Sequence, residues 1–443
     1  MQFETQISEG TTFLQNEKLL QESTHQDVFH CLQEEHQAIL SCQQRLQRPF
    51  FFYNLDGLKI HARHLQDLAV AHGIDLFYAC KANPLSSILQ TIHAEGIGID
   101  VAGRGELDQT LRSGTSPHLI VATGPAKSAT LLREYLQNGV RLFVIESKNQ
   151  LEWLNNEAHH LGVRPKVLLR FQLDCSHTSL KGKSSVLGGE KVTAFGADLA
   201  HWETVNFPNL NSLDIIGAHV FQWGNILDQN LIIEIWQTTL AQMKQHFAKL
   251  NLSLKAMDFG GGLGIPYKEK DPVLSFSKLV AALSQLKKEY HLDHIYLELG
   301  RYLVAPSGKY TTPVIDLKKV RGKCLAILEG GINHIARSAL TGEYFPVSLE
   351  RSKQNPQAAL SMAKRKHFSL HGPLCTSLDF LGEHSLPEHL SIGDWIIFHQ
   401  TGAYGMTESM PFFLCHDLPG EAVLKDAKLF IPRPIKSSAD WMI

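Results

Sequence analysis

Residues 75–114 read DLFYACKANPLSSILQTIHAEGIGIDVAGRGELDQTLRSG, and their rhythm decides the fold. A short apolar run (Asp75–Cys80) gives way to an amphipathic stretch (Pro84–Ala94). A second run (Gly98–Ala102) and a second stretch (Gly105–Ser113) repeat the pattern. Strand then helix, repeated, is the mark of a parallel sheet with helical crossovers. Working outward, further strands are predicted at His118–Thr123, Leu142–Glu146, Lys166–Phe171, Leu213–Val220, Ala256–Phe259 and His294–Glu298. Helices are predicted at Lys127–Asn138, Asn149–Leu161, Gln229–Asn251 and Ser275–Tyr290. Eight such units in series predict a (β/α)8 barrel, an α/β fold. Cys175–Thr204 is too long for a simple connection and is expected to carry loops over the barrel mouth.

The flanks differ. The first fifty residues hold ten glutamines, and no proline occurs before Pro49. Val28, Phe29, Leu32, Ile39 and Leu40 recur at loosely helical spacing, so residues 1–48 are expected to form a helical extension packed on the body or on a partner subunit. A partly disordered tail is the alternative. After Arg301 the runs Tyr310–Val320, Lys323–Leu328, His367–His371, Asp394–Phe398 and Leu429–Ile431 read as strands, predicting a C-terminal all-β domain over 301–443. Phe50–Tyr53 is expected to add a strand to it, leaving 49–300 for the barrel.

The 443 residues carry 42 Lys and Arg against 44 Asp and Glu. A formal net charge of −2 gives no basic excess for nucleic acid or an anionic membrane as main partner. The N-terminus lacks a basic segment followed by an apolar core, and no run of about 18 apolar residues exists, so a cytoplasmic protein is expected. Seven cysteines form no CxxC pair; this predicts free thiols and no structural zinc, and no metal is expected.

In a (β/α)8 barrel the working residues stand at the C-terminal ends of the strands. Lys81 follows the first strand directly, where a lowered pKa would make it a Schiff-base candidate; a lysine snorkelling to solvent is the alternative. Arg170 ends the fifth strand and His219 the sixth. After the seventh come Gly260, Gly261 and Gly262, whose exposed N–H groups can cradle a phosphate, although a glycine run can also be a mere turn. Glu298 and Arg301 close the eighth: the acid can hold a pyridinium proton and the arginine a phosphate or carboxylate, unless they form a structural ion pair. Together these residues predict pyridoxal 5′-phosphate as cofactor.

Seven motifs stand in order: YACKAN, DVAGRGE, GAHVF, DFGGGLG, ELGR, GPLCTSLD and GAYG. In that order the chain, from about Phe50 to Glu421, resembles the fold-type III pyridoxal-phosphate decarboxylases, the ornithine and diaminopimelate decarboxylase group, whose barrel is of the alanine racemase type. The resemblance implies that Lys81 carries the cofactor and that His219 stacks on its ring. It places Gly260–Gly262 at the phosphate, Glu298 at the ring nitrogen and Arg301 at phosphate or substrate carboxylate. Tyr404 corresponds to the tyrosine near the phosphate. Cys375 corresponds to the cysteine supplied by the other subunit to reprotonate the α-carbon, and Asp379 to the aspartate four residues on. A homodimer with shared sites is therefore implied.

The departures bear on substrate. Leu299 stands where the family usually has proline, and Val220-Phe221-Gln222-Trp223 replaces a short Gly-Ser. Thr376 follows Cys375 where the diamine-forming enzymes carry an acid for the distal ammonium. Removing one partner of a desolvated pair costs about 3–5 kcal/mol. The CTSLD pattern, with Glu329-Gly330-Gly331 and Gly405-Met406-Thr407, looks closest to the branch that decarboxylates amino acids already joined to citrate or to an acyl carrier. Decarboxylation of a free basic amino acid, racemization and non-catalytic cofactor binding are the alternatives.

Overall fold

The computed structural model describes residues 25–174, 191–352 and 364–442. Most of the Cys175–Thr204 connection and the start of the N-terminal extension lie outside the described residues. The chain divides into two units, one taking in Lys59–Ile265 with Pro272–Leu303, the other Met1–Leu58, Pro266–Asp271 and Val304–Ile443.

The first unit is the barrel. After β1 (Phe50–Asn54) in the other unit come β2 (Asp75–Ala79), β3 (Gly98–Val101), β4 (Ile120–Ala122), β5 (Leu142–Ile145), β6 (Lys166–Arg170), β7 (Asp214–His219), β8 (Ala256–Asp258) and β9 (His294–Leu299). These last eight form a closed barrel. Every neighbouring pair is parallel, and β9 returns to β2 with Leu76 opposite Leu297. Phe77, Val121, Val144, Leu168, Ile216, Ala256 and Tyr296 pack against one another, one from every barrel strand except β3. Such a side-chain cluster makes the barrel a packed core.

The second unit holds α1 (His25–Leu46), β1 and all strands after Gly308: β10 (Gly308–Val320), β11 (Lys323–Leu328), β12 (Val347–Glu350), β13 (Arg365–His371), β14 (Phe380–Pro387), β15 (Trp395–Phe398), β16 (Gly420–Lys425) and β17 (Lys428–Arg433). The sheet runs β14-β13-β11-β10-β1-β16-β17, with β15 joining β10 to β12. β1 lies antiparallel to β10 and parallel to β16, buried along its whole length. Ala38, Ile39 and Cys42, one face of α1, pack on Phe50, Phe52, Ala422 and Leu424. Asn54 Nδ2 donates to Glu35 Oε2 at 2.9 Å, and Lys309 pairs with the same carboxylate.

One long helix escapes the sequence reading. α2 (Leu55–Ala71) starts immediately after β1, and Asn54 Oδ1 accepts the Gly57 N–H at 2.9 Å as its cap. Leu55, Leu58, Ala62, Leu65 and Ala69 are all buried at 0–1% exposure, the spacing of one helical face.

His334, 4% exposed, ties this unit together. Its Nδ1 lies 2.8 Å from the Tyr310 hydroxyl and its Nε2 3.0 Å from the Asp417 carbonyl. A neutral ring satisfies both, accepting from Tyr310 and donating to Asp417. Burial pushes its pKa down to about 4, against 6.5 for an ordinary histidine. The unfolded chain thus binds the proton first as pH falls, and stability is lost between about pH 6.5 and 4, by up to about 3 kcal/mol. Melting temperature is expected to fall between pH 7 and 5. His334→Gln should melt lower at pH 7 with a shallower pH slope; an unchanged slope would acquit this residue.

Candidate active site

Each catalytic candidate of the barrel unit stands where a strand ends. Lys81 lies on a single turn (Cys80–Ala82) after β2, its Nζ 3.5 Å from Asp100 Oδ2 on β3. Its side chain is 43% exposed, so the expectation of a lysine withheld from solvent does not hold. Asp100 is 2% exposed and accepts the Thr123 hydroxyl. Burial and the charge of Glu298 push its pKa up to about 7, against the pull of Lys81.

His219 and Glu298 meet across the barrel, Nε2 to Oε2 at 3.4 Å, both buried. Burial lowers the His219 pKa, so a neutral ring donates its Nε2–H to a carboxylate. Burial alone would raise Glu298, but His219, Lys81 and Arg170 outweigh it and hold the carboxyl low. Asp258, fully buried at the end of β8, moves the other way: burial and the Glu298 charge raise it well above the carboxylate range. Its Oδ1 accepts the Gly260 N–H at 2.8 Å. Asp258 Oδ2, Glu298 Oε1 and His219 Nδ1 are buried without a hydrogen-bond partner among the described residues.

Arg170, 5% exposed, donates to Glu146 Oε1 at 2.9 Å and lies 4.7 Å over the Phe195 ring. Glu146 also accepts the Gly196 N–H, and Lys127 Nζ stands 4.0 Å from it. Lys127 is 1% exposed and donates to the Gly124 carbonyl. Burial brings its pKa down to about 8. Arg301 is buried at the start of the short helix Arg301–Val304.

The glycine run lies between two strands' ends. Gly260 (φ 62°) and Gly262 (φ 93°) adopt left-handed backbone on either side of Gly261. A Cβ on Gly261 would stand 2.4 Å from the Glu298 carbonyl oxygen, and one on Gly260 2.6 Å from Phe221. Phe221–Trp223, in the place of the short Gly-Ser, packs behind the run, and the Ile226 N–H donates to the Gly262 carbonyl at 2.9 Å. Gln222 clamps the Leu173 backbone at 2.8 and 3.1 Å.

These features fit pyridoxal phosphate. A concave backbone of alternating handedness takes an anion, and the unpartnered buried Oε1 of Glu298 suits a ring N–H. His219, Asp258 and Glu298 also have the spacing of metal ligands, within 4.8 Å of one another. A protonated pyridine nitrogen meets the same need for positive charge. Gly261→Ala is expected to weaken cofactor binding at least about tenfold through that close contact, read by titrating the apo-protein with cofactor while checking that it still melts cooperatively. Wild-type affinity would remove the run from the cofactor site.

Sequence reasoning passed over Asp100, Glu146, Lys127 and Asp258. The signal was available: three are acids inside or at the end of apolar strands, where an unpaired charge is costly. The remaining candidates belong to the other unit. Tyr404 has φ 55° and its ring lies under the Arg337 guanidinium at 4.9 Å. Cys375 is exposed on the loop between β13 and β14. Thr376 Oγ1 accepts the Leu378 N–H at 3.2 Å. Asp379, 2% exposed, accepts from Ile332 N–H at 2.8 Å and Leu374 N–H at 2.7 Å, which commits both oxygens to holding the loop.

Residues 58–305 match the family model for the pyridoxal-dependent decarboxylase, pyridoxal binding domain. The chain belongs to this family. It is a pyridoxal-phosphate-dependent carboxy-lyase, and the non-catalytic alternative falls away. The L-glutamyl-[BtrI acyl-carrier protein] decarboxylase of Niallia circulans is 26% identical over 91% of this chain and 95% of its own. The 2-[(L-alanin-3-ylcarbamoyl)methyl]-2-hydroxybutanedioate decarboxylase of Staphylococcus aureus is 29% identical over 85% and 94%. A Campylobacter jejuni diaminopimelate decarboxylase is 28% identical over 83% and 88%. Helicobacter pylori diaminopimelate decarboxylase shares the fold, with a TM-score of 0.77 at 24% identity over 88% of this chain and 95% of that one. No helix among the described residues is long and apolar enough to cross a membrane.

Proposed function

We propose that this decarboxylase removes the α-carboxylate of an amino-acid moiety already joined to a second group, citryl or carrier-linked acyl, in siderophore or secondary-metabolite biosynthesis. One observation carries the reading: the Gly372–Asp379 loop offers no carboxylate to a distal ammonium. Thr376 is neutral, and the loop's single acid, Asp379, is committed to two backbone N–H groups. The Niallia and Staphylococcus relatives, named for conjugated substrates, support it. Diaminopimelate decarboxylases of similar identity favour the second reading, a free basic amino acid.

Bound pyridoxal phosphate supplies the electron sink that accepts the bonding pair when carbon dioxide leaves. Lys81, on the turn after β2, would be the amine that holds it. Gly260–Gly262 and Arg301 would bind its phosphate side, and His219 would pack against the ring face. Glu298, held ionised by its neighbours, would keep a proton on the ring nitrogen. Arg170, fixed by Glu146, presents positive charge toward the cofactor. Cys375, given by the partner subunit of a homodimer, returns a proton to the α-carbon; its exposure on a single chain accords with such a role.

Cys375→Ala is expected to slow turnover about 100-fold while the cofactor band persists. Unchanged rate and product would take the thiol out of the mechanism. The reading itself is tested by carbon dioxide release from the holoenzyme offered free ornithine, lysine, arginine and diaminopimelate beside citryl- and acyl-linked amino acids. Release from conjugates alone is expected, and fast release from a free diamino acid would overturn it.

A further inference from the structure

Resting on the conjugate reading, we infer that the cationic strand ends at the tip of β10, β11 and β13 form a docking face for an acidic carrier protein. That carrier presents the amino-acid group on a tethered arm. The sheet gathers the charges. β10 ends in Lys318-Lys319-Val320, the turn holds Arg321-Gly322, and β11 begins at Lys323. Val320 lies opposite Lys323 on the antiparallel side. Cys324 lies opposite Phe368 on the parallel side, which brings Arg365 and Lys366 of β13 to the same end. Strands are about 4.8 Å apart, so these cations fall within roughly 15 Å, about two Debye lengths in physiological salt, with adjacent strands well inside one. Their fields therefore add.

All are exposed. Lys323 is paired with Glu383 at 2.8 Å, and Lys364 beside the patch with Glu388 at 2.9 Å. Lys318, Lys319, Arg321 and Lys366 make no ion pair with any described residue. In a chain of formal net charge −2 this is a local reversal of sign. A positive face on a near-neutral protein steers an acidic partner and does not make the whole molecule sticky.

The patch is joined to the chemistry by one strand. β13 starts at Arg365, ends at His371 and runs straight into Gly372–Asp379, the loop of Cys375 and Thr376. Six residue steps of strand span roughly 20 Å. A carrier seated on the strand starts would need an arm of about that reach to deliver its amino-acid group to the loop, whereas a free amino acid needs no such face.

The test compares the holoenzyme with its triple variant Lys318→Glu, Lys319→Glu, Arg321→Glu. Substrates are a glutamyl-loaded acyl-carrier protein of acidic surface and the same glutamyl group on a small pantetheine thioester. All three positions are exposed, and none belongs to the catalytic machinery. For the carrier-linked substrate, kcat/KM is expected to fall about tenfold or more through KM, and high salt should erase the difference. The small thioester should be turned over equally by both proteins. Equal kinetics on the carrier, no preference for carrier over thioester, or equal losses on both substrates would each overturn the docking face alone. Turnover of free diamino acids with neither conjugate accepted would overturn the conjugate reading and the docking face with it. Displacement of the carrier by RNA or by phosphatidylserine vesicles at physiological salt would give the patch to another class of partner.

Discussion

Lys81→Ala is expected to abolish the visible absorbance of bound cofactor and to lower turnover about 1,000-fold or more. The lysine follows the first barrel strand on a rigid single turn, and Asp100 at 3.5 Å fixes its amine. Borohydride treatment before denaturation should leave label on the wild-type chain and none on the variant. The other lysine of this charge network, Lys127, is fully buried with its amine on the Gly124 carbonyl. Label that survives denaturation in the Lys81 variant would therefore move the attachment, with Lys127 the first amine to examine.

The second large effect is a gain. Thr376→Glu should raise kcat/KM for free ornithine or diaminopimelate about 100- to 1,000-fold, since supplying the missing partner of a desolvated ammonium is worth about 3–5 kcal/mol. Thr376 is partly exposed, and among the described residues its side chain makes one bond in the loop, a 3.2 Å contact from the Leu378 N–H, while Asp379 still ties Leu374 to Ile332. Turnover of conjugates should fall in the same variant. A variant with no gain on any free diamino acid would mean that the loop's charge does not select substrate.

Much of the fold was legible because barrel strands are apolar runs between amphipathic helices, and their ends follow from that contrast. The sequence predicts the third barrel strand at His118–Thr123, yet Pro117–Leu119 is a separate turn and the strand is Ile120–Ala122. α2 was missed although its apolar face is regular, because strand and helix abut without a loop between them. β14 (FLGEHSLP) and β16 (GEAVLK) escaped for another reason: polar residues interrupt the apolar run. The buried Glu421 of β16 accepts the Tyr53 hydroxyl at 2.8 Å from 368 residues away and pairs with Arg433 on the neighbouring β17.

The site shows the same division. Lys81, His219, Glu298 and the glycine run were legible because each sits at a strand end, where this fold keeps its chemistry. Asp100, Asp258, Glu146 and Lys127 were not, since their role lies in mutual contact across strands. Asp379 accepts the backbone N–H groups of Ile332 and Leu374, contacts that its spacing from Cys375 does not reveal.

The most direct test of the account is competition on one sample of wild-type holoenzyme. A glutamyl or citryl conjugate and free diaminopimelate are supplied together at equal concentration, and each decarboxylated product is followed by mass. The account predicts that the conjugate's product dominates by about 100-fold or more, the ratio that one missing buried charge pair implies. Dominance of lysine, the product of diaminopimelate, would contradict it and place the enzyme among those acting on free amino acids.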